Sequence, residues 1–149
     1  MANTKVQIQA ERWVVRELER MFGVGFAKSK VSLTWGGAFE FDAVSIDGSV
    51  VACVSTSKRR TARGRPAIGK LHKIRSDVLF LLNARGATQR VLVFTDAGMV
   101  AHFEAERARG RFPPLDQVEL RFVRLPDELT AALTAAQRDA AVEVSPRST

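Results

Sequence analysis

Apolar and polar residues alternate along this chain with two different periods, and the changes of period mark out its elements. From Val6 to Phe22, apolar Ala10, Val14, Leu18 and Met21 recur at intervals of three and four with Glu, Arg and Gln between them, which predicts an amphipathic helix stopped by Gly23 and Gly25. Val31 to Trp35 alternates with period two, and so does Phe39 to Ile46, where Phe39, Phe41 and Ala43 are set against Glu40 and Asp42. These read as two strands joined at Gly36-Gly37. Asp47-Gly48 is a tight-turn pair, and the β-branched run Ser49 to Thr56 makes a third strand in a hairpin with the second. Leu71, Ile74, Val78 and Leu81 then mark one face of a helix from Ala67 to Asn83, closed by Gly86. Val91 to Thr95 is nearly continuous apolar sequence, as in a strand covered on both faces. A helix from Gly98 to Arg109 follows, with Asp96 as its cap and a break at Gly110 and Pro113-Pro114. A fifth strand, Val118 to Arg124, and a last helix, Asp127 to Ala141, complete the chain, and the tail Ser145 to Thr149 is expected to fray.

The order α-β-β-β-α-β-α-β-α is an antiparallel meander feeding βα crossovers, and it predicts an α/β protein with a mixed sheet flanked by helices on both faces. A chain of 149 residues suits one domain, 1–144, with a core that needs no staples. Apolar residues at 46% and charged residues at 26% argue against a disordered chain. The longest apolar run, near Val78 to Leu82, is too short to cross a bilayer, and Met-Ala-Asn-Thr-Lys leads into polar sequence without the apolar stretch of a signal peptide. The single Cys53 excludes an intrachain disulfide and suits a reducing compartment, so the cytoplasm is the expected location. One Cys and two separated histidines, His72 and His102, make neither a zinc site nor a thiol-protease arrangement.

Net charge changes the picture through its distribution. The formal charge is +7, and Lys58, Arg59, Arg60, Arg63, Arg65, Lys70, Lys73 and Arg75 fall in one stretch that contains no acid. The other 15 basic residues nearly balance the 16 acidic ones, so the excess is local. A localised positive field steers a polyanion, either nucleic acid or an anionic membrane surface; the plainer reading is a solvated loop. Within the stretch, Lys58 to Pro66 looks like an AT-hook, whose Gly64-Arg65-Pro66 core would lie extended in the minor groove of A·T-rich DNA. Against that, Pro66 also suits the start of the helix that follows. Among partners, DNA is favoured over RNA, and no membrane is expected.

The stretch from Gly36 to Lys58 resembles the core of the PD-(D/E)XK nuclease superfamily, in which an Asp on the second strand is paired with Glu-x-Lys on the third. The resemblance implies a restriction-endonuclease-like fold and puts Asp42 at the Asp position, with Cys53 and Ser55 where the Glu and Lys would stand. In such a site two carboxylates hold a hard divalent cation that polarises the phosphate and activates water, and the Lys stabilises transition-state charge. Residues two apart share a strand face, so Cys53 and Ser55 point where Glu and Lys would, leaving Val50, Ala52 and Val54 on the opposite, core-facing side. A neutral thiol is a poor magnesium ligand, and a hydroxyl carries no fixed positive charge. Without the resemblance, Asp42 reads as a strand Asp capping a turn or pairing with an Arg, and Cys53 as a small buried residue.

Three functions remain open. The first is a nucleic-acid-binding protein of nuclease-like fold that does not cleave and needs no cofactor. The second is an active magnesium-dependent DNA endonuclease with a rearranged site, in which Glu17 or Glu19 joins Asp42 and Lys58 reaches back. The third is an interaction or assembly module that pairs with a partner or with a second copy as a homodimer, its basic stretch incidental. The first accounts together for the element order, the charge and the missing Glu-Lys pair.

Overall fold

The computed structural model describes residues 2–61 and 63–144. The element order is the expected one: α1 (Ala2–Phe22), β1 (Phe26–Ser32), β2 (Ala38–Ser45), β3 (Val50–Ser55), α2 (Ile68–Leu82), β4 (Gln89–Phe94), α3 (Ala97–Ala108), β5 (Glu119–Phe122) and α4 (Asp127–Val144). The tail 145–149, expected to fray, lies outside the described residues. No helix among the described residues is long and apolar enough to cross a membrane.

The five strands lie side by side in chain order. The pairs β1–β2 and β2–β3 are antiparallel, while β3–β4 and β4–β5 are parallel, each parallel pair joined through a helix. The turn between β2 and β3 follows from its residues. Asp47 Oδ1 accepts from Ser45 Oγ, Ser49 N and Ser49 Oγ at 2.7, 3.0 and 2.7 Å, and Gly48 supplies the positive φ of +76°.

Strand β1 starts at Phe26, earlier than the alternation from Val31 suggested, and Trp35 stands exposed in the turn beyond its end. As an edge strand it has one free side, and its exposed Lys28 and Lys30 blur the period-two signal while discouraging edge-to-edge pairing.

Two apolar layers sandwich the sheet. On one face Leu71, Ile74, Val78 and Leu81 of α2 and Met99 and Phe103 of α3 pack on Val51, Cys53, Leu92 and Phe94. On the other, Ala10, Val14 and Leu18 of α1 and Leu133 of α4 pack on Val50, Ala52, Val54, Val91 and Val93. Every residue of β3 is buried, so the expectation that only the Val50, Ala52 and Val54 side is core is corrected. The side carrying Cys53 is also core, because two crossover helices cover it.

Strand β2 departs from simple alternation. Phe41 and Val44 stand three apart, an odd spacing that puts residues on opposite faces of a regular strand, yet both pack in the α2–α3 layer, while Ala43 between them enters the other. The register explains it: Phe41 pairs with Ser29 and Val44 with Ala27, so Asp42 and Ala43 together stand opposite the single Lys28. This is a β-bulge, and it changes the phase of the strand at Asp42.

Candidate nucleic-acid interface

The bulge decides what Asp42 does. Ladder pairing between β2 and β3 covers Val44–Val51 and Ala43–Ala52 and does not extend to Asp42. The next inward donor of β3, the Val54 N–H, is met by the Asp42 side chain, whose Oδ2 accepts it at 2.7 Å. A carboxylate thus takes the place of a ladder carbonyl. Sequence reasoning allowed a structural role as a turn cap or an Arg partner; the partner is instead a backbone amide on the neighbouring strand.

Cys53 is only 1% exposed, and its thiol is pushed far up, first by burial and then by the nearby carboxylates of Asp77 and Asp42. A thiol so placed stays protonated and unreactive. Asp77, on α2, was not singled out in the sequence. It is buried, its pKa is raised mainly by that burial, and Lys73 opposes the shift through an ion pair at 3.3 Å. The signal that could have found it is an acid set among the core positions Ile74, Val78 and Leu81, with a Lys four residues before it.

Ser55 is buried at the carboxyl end of β3, its Oγ accepting from Ser57 N at 3.4 Å. With Gln7, Thr56, Ser57, Lys70 and Lys73 it lines a pocket of about 70 Å³ between α1, β3 and α2. The structure therefore brings Asp42 and Cys53 together with Asp77, and places Ser55 one step further on, among lysines.

These residues do not fit a magnesium centre. One oxygen of Asp42 is engaged by Val54 N–H, the thiol of Cys53 is neutral, and Asp77 is paired with Lys73. No group of three or more His, Cys, Asp or Glu among the described residues is arranged to hold a metal. The two helix acids do not join them. Glu17 pairs with Arg20, and Glu19 Oε2 accepts Phe26 N at 3.0 Å. Helix α1 packs on the face opposite Cys53, and its residue at the pocket is Gln7; Glu17 and Glu19 lie ten and twelve positions further along, about 15–18 Å at the helical rise. Lys58 does not reach back either, because its Nζ donates to Thr134 Oγ1 of α4 at 2.8 Å.

The remaining basic residues leave β3 as a hydrogen-bonded arm. Arg59 N donates to Asp96 Oδ2 at 2.9 Å, and the same oxygen accepts Met99 N at 2.9 Å, so the expected cap of α3 also anchors the arm. Arg60 and Pro66 form an antiparallel bridge. Thr61 N donates to Arg65 O at 2.7 Å, Gly64 N to Thr61 O at 2.9 Å, and Arg60 Nη1 to Gly64 O at 3.1 Å. Gly64 has a φ of +77°, so Gly64-Arg65-Pro66 is the turn and return arm of a small hairpin and not a separate extended segment. Arg60, Arg63 and Arg65 are exposed on it, and Lys70 and Lys73 are exposed on the first turns of α2. Arg75 lies apart, 3.5 Å from the buried Glu106 of α3.

No family model, curated protein or solved structure matches the chain. Its chemistry is therefore judged on the residues themselves. They offer a preformed cationic arm and a small polar pocket near it, and at Asp42 and Cys53 they offer a hydrogen-bonded carboxylate and a closed thiol.

Proposed function

We propose that the protein binds nucleic acid, duplex DNA before RNA, through the segment from Arg60 to Lys73 and does not cleave it, on a fold of restriction-endonuclease-like type. The observation that carries this reading is the basic hairpin: three exposed arginines on an arm held by its own hydrogen bonds and by Asp96, in a stretch of sequence from Lys58 to Arg75 that contains no acid. An arm already ordered gives up less conformational freedom on binding than a flexible tail of the same charge. The nuclease-like origin is supported by the element order and by the place of Asp42 beside Cys53 and Val54 of β3. The loss of cleavage is supported by the sealed Cys53. A lone reduced thiol suits the cytoplasm.

Binding of a labelled duplex, followed by fluorescence anisotropy across a salt series, tests it. Arg60, Arg63, Arg65, Lys70 and Lys73 give up to five phosphate contacts, for a log-log salt slope of roughly −4 to −5. Arg60→Ala with Arg65→Ala should weaken binding and flatten the slope by about 1 to 2. No binding at low salt, or an unchanged slope in the double variant, overturns the reading. Magnesium- or manganese-dependent cutting by the unmodified protein overturns the non-cleaving part of it.

A further inference from the structure

We propose that the pocket at the carboxyl end of β3 is the seat of one phosphate group of the bound nucleic-acid backbone, an inference that rests on the nucleic-acid reading above. Four observations converge there. Lys70 brings an ammonium with no acidic partner among the described residues, and Lys73 brings a second, shared with Asp77. Thr56 lines the pocket as a residue only 7% exposed, and its hydroxyl, with no hydrogen-bond partner among the described residues, is open to the pocket and able to donate to a ligand oxygen. Helix α2 borders it through Lys70, Lys73 and Ile74, within two turns of an N-terminus that has Ala67 at the cap position and no side-chain cap, so the positive end of the helix dipole adds to the field there. A volume of about 70 Å³ exceeds what a single water needs and admits a tetrahedral oxyanion.

None of Thr56, Lys70 and the α2 terminus belongs to the Asp and Glu-x-Lys positions, so the grip does not depend on that motif. The hydroxyls and ammonium groups here are donors, which is what a phosphate oxygen requires and a metal ion does not. Asp77 limits the attraction through its ion pair with Lys73, leaving Lys70 as the main cation.

Two probes separate this seat from the general cationic field. The first is inorganic phosphate against chloride at matched ionic strength, read as melting temperature; the second is duplex anisotropy. Thr56→Val changes no charge, and Lys70→Gln is an exposed substitution that leaves the core untouched. Phosphate is expected to raise the melting temperature of the wild type and to raise that of either variant less. Duplex affinity should fall about ten-fold in Thr56→Val, the loss of one hydrogen bond to a charged group. In Lys70→Gln the salt slope should become shallower by about 1. Duplex binding with the expected salt slope, unchanged by both variants, overturns the seat and leaves the nucleic-acid reading standing. A phosphate effect lost in the variants, with no duplex binding by the wild type, overturns the backbone source and the nucleic-acid reading with it. If Thr56→Val does not fold, Lys70→Gln decides alone.

Discussion

Replacing Asp42 tests whether this carboxylate is a piece of the sheet or the remnant of a metal ligand. In Asp42→Ala the Val54 N–H loses its acceptor, and Val54 is only 7% exposed, so water cannot readily replace it. An unsatisfied buried donor costs about 1–3 kcal/mol, and loss of a charge-assisted partner belongs in the upper part of that range, about 2–3 kcal/mol. For a domain of this size that lowers the melting temperature by roughly 4–10 °C. Asp42→Asn keeps an amide oxygen able to accept the same N–H and forgoes only the charge, so its loss should be about half. Thermal unfolding by circular dichroism of the two variants, with and without manganese, separates the roles. A structural carboxylate gives a graded series, wild type above Asn above Ala, unaffected by the metal. If Asn is as damaging as Ala, or if manganese stabilises only the wild type, the reasoning fails.

The other predictions concern groups near the same strand and arm. Cys53 should resist thiol reagents in the native protein and label at the rate of unfolding, seen by mass spectrometry; rapid native labelling would mean the thiol is not sealed. Burial raises the pKa of Asp77 above the ordinary carboxylate value, so protonation favours the folded state: its contribution is fully present below the ordinary value and is lost as pH rises through the higher folded one. Asp77→Asn should therefore melt above the wild type at pH 7, with the gap closing as the pH falls toward 4. Asp96→Ala removes both the α3 cap and the anchor of Arg59, at about 1 kcal/mol for the cap alone, and should weaken duplex binding although Asp96 is itself an acid. Stronger duplex binding in that variant would show that repulsion, not anchoring, is what Asp96 contributes.

The fold was legible wherever burial imposes a period. Helix α2 is written by Leu71, Ile74, Val78 and Leu81, β4 by an unbroken apolar run, and the cap of α3 by Asp96, because each has a single buried geometry to satisfy. The start of β1 was not legible, since an edge strand with exposed lysines carries little periodic signal. At the candidate site, the adjacency of Asp42 and Cys53 could be read from strand register, but the partner of Asp42 could not, because a bulge is a property of two strands together. Asp77 was hidden for a similar reason: its burial depends on where α2 docks. The hairpin of the basic arm depends on contacts among Arg60, Thr61, Gly64 and Arg65 that composition does not reveal.

The phase change in β2 bears on how this chain can vary in length. Residues before Asp42 are patterned for one side of the sheet in one phase, and residues after it in the other. Adding or deleting a single residue between Phe39 and Val44 would turn Phe39 and Phe41 away from the layer they fill. The arm around Gly64 lies outside the strands, is bound by no such parity and can grow or shrink at little cost. Length variation should thus concentrate in the basic arm, the part that meets the ligand, while β2 keeps a fixed count of residues.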